Sequence, residues 1–314
     1  MKYVQIETTT TCNQRCYFCP VSQAKRSKSQ LSLTKLEKIL IGLRPYDIET
    51  IIISGFNEPT YDKQFIEKIK LIRKAGFAIS LCTNGSGLTP DLTNKLLELK
   101  VNGFTINLST IDAKQYKKDR GSRDLKNVIP QLNHLFNQAS TQQITILILG
   151  ALDSKHANNV QMITKQFANF KTIKFLISPI ADYAGKDTQV LSKRPNYQNL
   201  QGCSMDRQHQ WLHFMADGNA ILCCQDYFGK YKLGNIDEAT VTEIYQGEKI
   251  AQMRKWIAGQ EEAPSDFICR KCVFALTEDN YMQTLKKLFC KTCKLPTILG
   301  IEDSCYKCEV NCYL

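Results

Sequence analysis

No apolar run in the 314-residue sequence approaches the roughly 20 residues a membrane-spanning helix needs. The first ten residues, MKYVQIETTT, contain neither an apolar signal core nor a small-residue cleavage site. The expected location is therefore the cytoplasm, with no membrane partner. No internal repeat or low-complexity segment is present, which excludes solenoid and compositionally biased classes. The four histidines, His134, His156, His209 and His213, share no ligand spacing, so a histidine-rich metal site is not indicated. Basic residues outnumber acidic ones 41 to 30, a net charge of +11 that suits an acidic or phosphorylated partner. They are scattered (Lys25, Arg26, Lys28; Lys117, Lys118, Arg120; Lys286, Lys287) and lack the aromatic and glycine signature of an RNA-binding module. A solvated basic surface is the better reading, and nucleic acid is not an expected partner.

Cysteine, by contrast, is abundant. Fourteen thiols without a secretion signal argue for thiolate-bound metal over a disulfide scaffold. They are clustered: three at positions 12 to 19, one at 82, three at 203 to 224, and seven between 269 and 312.

From residue 2 to 178, short apolar runs alternate with helical patterns, the sign of βα units and a parallel sheet. Six strands are predicted, over Tyr3–Thr8, Thr50–Ser54, Ala78–Thr83, Phe104–Leu108, Ile144–Leu149 and Ile173–Ile177. Six units are too few for a closed eight-stranded barrel. The expected fold is α/β, a partial (β/α)6 barrel over residues 1–185 with its chemistry at the carboxyl ends of the strands. Ser178–Gly202 reads as a linker. Trp211–Met215 and Ala220–Cys224 flank Asp217-Gly218, a hairpin turn. Helices are predicted over Thr240–Ala258 and Leu276–Phe289.

Directly after the first strand comes Cys12-x3-Cys16-x2-Cys19. Three closely spaced thiolates can hold three irons of a 4Fe–4S cube and leave the fourth open. Zinc is the alternative, but it normally takes four protein ligands and the next cysteine is Cys82. The motif and its position resemble the radical S-adenosylmethionine (SAM) superfamily. That resemblance implies a cluster that binds SAM at its open iron and cleaves it reductively to a 5′-deoxyadenosyl radical. It extends to Gly55-Phe-Asn-Glu58-Pro59, similar to the family's Gly-Gly-Glu-Pro segment with Ser54 in place of the first glycine, and to Thr83-Asn84-Gly85, Asn107-Leu-Ser109 and Tyr116-x3-Arg120-Gly121. The resemblance implies that Gly55 and Glu58 meet the SAM amino group, Phe18 packs near adenine, Asn84 lies beside SAM, and Asn107, Ser109 and Arg120 bind its ribose or carboxylate. A surface carboxylate at Glu58 and a helix-end surface pair at Arg120 are the plainer alternatives.

Cys203, Gly218-x4-Cys223 and Cys269-x2-Cys272 resemble the SPASM/twitch extension of these enzymes, which implies an auxiliary 4Fe–4S cluster on those four thiolates within residues 186–275. The next cysteine is Cys290, too far on for a full SPASM run, so the one-cluster twitch form is expected. The same four ligands also suit zinc. The tail, residues 276–314, carries Cys290-x2-Cys293-x11-Cys305-x2-Cys308-x3-Cys312. Two such knuckles indicate metal, either zinc in a non-catalytic interaction module or a third cluster. Cys224 and Cys82 have no assigned partner. Cys224 is a candidate hydrogen donor, against the alternative of a buried hydrophobe. Asp226 is a candidate substrate base, against that of a turn residue.

The function implied is an oxidoreductase or epimerase in which hydrogen abstraction starts peptide oxidation, cross-linking or epimerisation. The alternative substrate is an aminocyclitol or sugar. A flavodoxin or ferredoxin is the expected electron donor. Because Cys12 leaves no room for a preceding leader-binding domain, a separate leader-peptide-binding protein is the expected helper.

Overall fold

The computed structural model describes residues 1–23, 26–180, 183 and 196–277. Nine strands form one mixed sheet. They are β1 (Tyr3–Ile6), β2 (Thr50–Ile53), β3 (Ile79–Thr83), β4 (Gly103–Asn107), β5 (Gln143–Gly150), β6 (Ile173–Pro179), β8 (Trp211–Phe214), β9 (Asn219–Ile221) and β10 (Lys232–Asn235). A separate two-residue pair joins β7 (Gly202–Cys203) to β11 (Ala275–Leu276). The large sheet runs β10-β9-β8-β1-β2-β3-β4-β5-β6 and does not close, which is the expected open barrel.

All six predicted βα strands are present. The hairpin strand β8 adds a seventh parallel member, pairing with β1 in the register Tyr3 to Trp211 and Ile6 to Phe214. The hairpin thus continues the barrel sheet.

Alternation explains the two faces. Val4, Ile6, Ile51, Ile53, Ile79, Leu81, Ile106, Ile146, Leu212 and Phe214 are essentially fully buried against the helices. Each such side chain is worth about 1.5–3 kcal/mol on leaving water. The alternate positions Gln5, Ile52, Ser80, Cys82, Thr105 and Asn107 are half-buried and line the concave face.

The helices begin and end where their caps dictate. In α2 (Leu33–Leu43), Ser32 accepts from the Lys35 amide, and in α4 (Pro90–Glu98), Thr89 accepts from Leu92 ahead of an N-terminal proline. Helix α5 (Ala113–Arg120) starts on Asp112 and stops at Gly121, whose φ of 63° is the left-handed conformation glycine tolerates. The remaining helices are α1 (Pro20–Gln23), α3 (Phe65–Lys74), α6 (Leu125–Gln138), α7 (Ser154–Gln166) and α8 (Arg207–Gln210). The predicted helix over Thr240–Ala258 is two helices, α9 (Val241–Gln246) and α10 (Glu248–Ile257), broken by Gly247 in extended conformation. A Cβ at Gly247 would stand 2.3 Å from the Glu243 carbonyl oxygen, so only glycine fits the corner. The second predicted helix is corrected at its start, because Leu276 pairs with Gly202 as strand. Among the described residues no helix is long and apolar enough to cross a membrane. The tail cysteines Cys290, Cys293, Cys305, Cys308 and Cys312 lie outside the described residues.

Candidate active site: two cysteine sets on one sheet

The first cysteine set sits on the loop leaving β1. Backbone bonds fix that loop on three sides: Thr10 N–H donates to Ser29 O, Glu58 N–H to Thr11 O, and Arg15 N–H to Arg120 O at 2.9 Å. Cys12 and Cys16 are close enough to Cys19 that each raises the cost of ionising it. Burial pushes Cys12 up to about 11 and Cys19 up to about 12, and raises Cys16 as well. Such thiols stay protonated near neutrality unless a cation compensates them.

The surrounding residues fit an anionic iron–sulfur group. Arg120 is 1% exposed, which rules out the surface pair. Its guanidinium donates to Gln14 Oε1 at 3.2 Å, to Asn107 Oδ1 at 2.7 Å and to Ser109 Oγ at 3.3 Å, and it lies over the Phe18 and Tyr116 rings. Its Nε is buried without a partner, and it has no carboxylate in an ion pair; the described arginine pairs are Arg26–Glu7 and Arg270–Glu262. A buried cation without a counter-charge is costly, so an anion beside Cys16 and Arg120 is the natural complement. Gln14, which the sequence reading missed, braces the group by donating to Tyr116 Oη at 2.7 Å while accepting from the Cys16 thiol at 3.6 Å.

Glu58 is also buried, at 1% exposure, and is therefore not a surface carboxylate. It accepts from Thr83 Oγ1 at 2.6 Å, Thr60 Oγ1 at 2.7 Å and the Asn84 amide at 2.7 Å. Burial raises its pKa while those donors work against the rise. The Asn84 side chain donates to Asn13 Oδ1 at 3.0 Å, joining the Thr-Asn-Gly turn to the cysteine loop. Gly55 is a packing glycine, for a Cβ there would meet Glu7 Cγ at 2.6 Å.

Glu7 is a hub the sequence reading overlooked. It accepts from the amides of Phe56 and Ala216, at 3.0 and 3.2 Å, and is clamped by both terminal nitrogens of Arg26. Arg26 in turn lies 4.9 Å over the Tyr227 ring, and Tyr227 senses Cys19. This chain of contacts connects the first cysteine set to the loop after β9.

That loop belongs to the second set. Cys203, Cys223, Cys269 and Cys272 line one small cavity together with Arg207 and Gln208. The Cys269-x2-Cys272 turn is locked by Arg270, which donates to the carbonyls of Pro264, Tyr197, Gln198 and Ala263. Among the described residues no three His, Cys, Asp or Glu side chains converge on a single metal ion. A cubane instead takes each thiolate on a different iron.

Cys224 has a polar contact. Arg207 Nη1 lies 3.0 Å from its sulfur, and the contact with Cys223 together with Arg207 lowers its pKa to about 6. Asp226 takes the turn role of the two considered. Its oxygens accept from the amides of Lys230 and Tyr231, at 3.0 and 2.7 Å, the arrangement of a turn residue. Cys82 faces the concave surface against Ser54 and Thr105, and burial raises its pKa.

His213, on β8 beside Gln5, is 1% exposed and neither ring nitrogen has a partner. Burial, helped by Arg207, lowers its pKa to about 3. The unfolded chain therefore takes up a proton below about pH 6.5 that the folded chain refuses. Stability contributed by this group is full above that pH and falls as pH drops toward the folded value, by at most about 1.4 kcal/mol per unit. His213→Phe is expected to flatten the dependence below about pH 6.5, toward the folded value of about 3, in denaturant titrations. An unchanged slope would contradict the burial of a neutral imidazole.

The comparisons with known proteins follow the same division. The radical SAM superfamily profile matches residues 6–155, and an iron–sulfur cluster-binding SPASM domain matches residues 203–273. Among curated proteins, a tungsten-containing aldehyde ferredoxin oxidoreductase cofactor-modifying protein of Pyrococcus furiosus is 31% identical over 102 residues, 32% of this chain and 29% of the relative. A probable GTP 3′,8-cyclase of Pyrococcus abyssi is 30% identical over 126 residues, 40% of each chain. The chain thus spans less than half the length of these relatives.

Solved structures agree in fold at low identity. Streptococcus suis SuiB bound to precursor peptide SuiA gives a TM-score of 0.66 at 14% identity, covering 86% of this chain and 69% of that one. Native anSMEcpe with bound AdoMet and Cp18Cys peptide gives 0.64 at 18%, covering 95% and 98%. BtrN in complex with AdoMet and 2-DOIA gives 0.59 at 17%, covering 83% and 88%. With the cysteine loop on β1, the buried arginine beneath it and the second cysteine cavity in place, the chain belongs to the radical SAM superfamily and carries a SPASM-type auxiliary iron–sulfur domain.

Proposed function

We propose that the protein cleaves SAM reductively and abstracts hydrogen from a carbon of a peptide substrate, with oxidation or cross-linking as the outcome. The observation that carries this reading is the pairing of two largely enclosed cysteine sets, each beside an arginine that has no carboxylate partner among the described residues, joined by the short segment from Cys223 to Tyr227. When bound, a three-thiolate 4Fe–4S cluster supplies the electron that breaks the sulfonium bond. Cys12, Cys16 and Cys19 would hold it, and Cys203, Cys223, Cys269 and Cys272 would hold the auxiliary cluster.

The chain's own residues bind and orient. Glu58, fixed by four donors of which three reach Oε1 and only the Asn84 amide reaches Oε2, keeps acceptor capacity at Oε2 for the SAM amino group. Arg120 sets the orientation of Asn107 and Ser109 at the end of β4 and retains one unused donor for a carboxylate. Phe18 packs its ring against the guanidinium, 5.4 Å from ring centre to Cζ.

A peptide substrate is favoured because SuiB and anSMEcpe hold peptides on the same fold. The net charge of +11 suits an acidic segment, as well as an acidic electron donor such as a flavodoxin or ferredoxin. An aminocyclitol or sugar is the second reading, favoured by the BtrN complex, to whose chain this one aligns over 88%. Cys224 offers the other exit, hydrogen return and epimerisation.

Reaction in deuterated water decides between the exits. Formation of 5′-deoxyadenosine with a product two hydrogens lighter is expected. One fixed solvent deuteron without that mass loss would replace oxidation with epimerisation, and no 5′-deoxyadenosine at all would refute the reading.

A further inference from the structure

Arg207 opens α8 and points into the cavity of the second cysteine set. Its Nη1 donates to the Cys224 sulfur at 3.0 Å, its guanidinium lies 5.1 Å from the Trp211 ring and 5.9 Å from the Phe274 ring, and its Nε is buried without a partner. Among the described residues it belongs to no ion pair with a carboxylate; the arginines there that do are Arg26 and Arg270. Burial opposes its charge, yet Cys224, Cys223, Cys203 and Cys272 more than offset that and hold it protonated. A full positive charge is therefore enclosed with the thiols that would ligate the auxiliary cluster.

We propose that Arg207 raises the reduction potential of the auxiliary cluster. The inference rests on the auxiliary-cluster reading of Cys203, Cys223, Cys269 and Cys272. A four-thiolate 4Fe–4S cluster is anionic and gains one more negative charge on reduction. A fixed cation at hydrogen-bond range from the cysteine segment favours the reduced form more than the oxidised one. The low dielectric of the cavity, with Trp211 and Phe274 flanking the guanidinium, keeps that bias from being screened. The buried Nε gives the arginine one further donor toward the cluster sulfurs, and hydrogen bonds to sulfur act in the same direction. A cluster poised higher accepts an electron more readily than it releases one, the direction an oxidative outcome requires.

The test is a potentiometric titration followed by electron paramagnetic resonance. It is done in the background lacking Cys12, Cys16 and Cys19, so that only the auxiliary cluster responds. Arg207→Gln is expected to lower the equilibrium constant for one-electron reduction at least about tenfold, equivalent to about 59 mV. Arg207→Lys keeps the charge and is expected to stay within about threefold of the parent. A glutamine form with full cluster content and an unshifted potential overturns the proposal, as does a lysine form shifted tenfold. If the glutamine form binds no iron, the lysine form alone decides by the same criterion. Absence of iron and sulfide from the parent background is a different failure, that of the auxiliary-cluster reading itself.

Discussion

Alanine at Cys12, Cys16 and Cys19 together is expected to reduce 5′-deoxyadenosine formation to background while iron and sulfide remain at the second set. The three thiols are the only ligands the loop after β1 offers, and nothing else in the site replaces them. Cys82, the next cysteine, sits within β3 against Ser54 and Thr105. The loop itself is held by main-chain bonds to Ser29, Glu58 and Arg120, none of which passes through a thiol. The variant should therefore fold and keep its second cavity, whose walls are fixed independently by Arg270 and by the pairing of Cys203 with Ala275. Anaerobic purification, iron and sulfide analysis, and chromatography of the SAM products check both halves. Undiminished cleavage would overturn the role of the loop, and zinc as the sole metal in the variant would overturn the auxiliary cluster.

What the sequence made visible is local. The six parallel strands declare themselves by apolar runs such as Ile51–Ile53 and Ile144–Ile148, and the first cysteine set by its spacing. The hairpin turn is legible in Asp217-Gly218, where Gly218 has a φ of 92°.

What stayed hidden depends on partners distant in the chain. Nothing in Trp211–Phe214 says that it will lie beside Tyr3–Ile6, because an alternating strand fits either its own hairpin or the barrel edge. Glu7 reads as an ordinary charged residue at a strand end until Arg26, Phe56 and Ala216 are brought to it. Arg207 carries no motif at all, and its importance comes from the cavity around it. The division of Thr240–Ala258 was partly legible. Gly247 stands inside an otherwise helical pattern, and Thr240-x2-Glu243 is a capping box that marks only the first helix. Asp226 is legible only in part, since its bonds to the Lys230 and Tyr231 amides form after the loop has closed.

Lys68→Met alone, or Asp62→Leu alone, is expected to cost about 3–5 kcal/mol of stability, and the two together much less. Lys68 Nζ donates to Asp62 Oδ2 at 2.5 Å, and both side chains are wholly inaccessible to solvent. Removing one partner leaves the other charge buried without its complement, whereas removing both replaces the pair with apolar side chains of similar volume. The two single changes are not equivalent. Asp62 retains donors from Gln30 Nε2 at 2.6 Å and the Gln64 amide at 3.0 Å, so it stays partly satisfied without the lysine. Lys68 without Asp62 keeps only the Thr8 carbonyl at 3.3 Å; burial already lowers its pKa, and it can escape the penalty in part by losing its proton. That carbonyl begins the loop carrying Cys12, Cys16 and Cys19 and also accepts from the Leu31 amide at 3.0 Å, so it keeps one donor, and the loop its bonds to Ser29, Glu58 and Arg120, when the lysine is gone. The double variant is accordingly expected to cleave SAM at close to the parent rate despite having lost a buried ion pair. Anaerobic denaturant titration of the two single variants and the double gives the coupling energy between the residues. Additive losses, or single variants within about 1 kcal/mol of the parent, would show that the pair is not the interior strut its burial indicates.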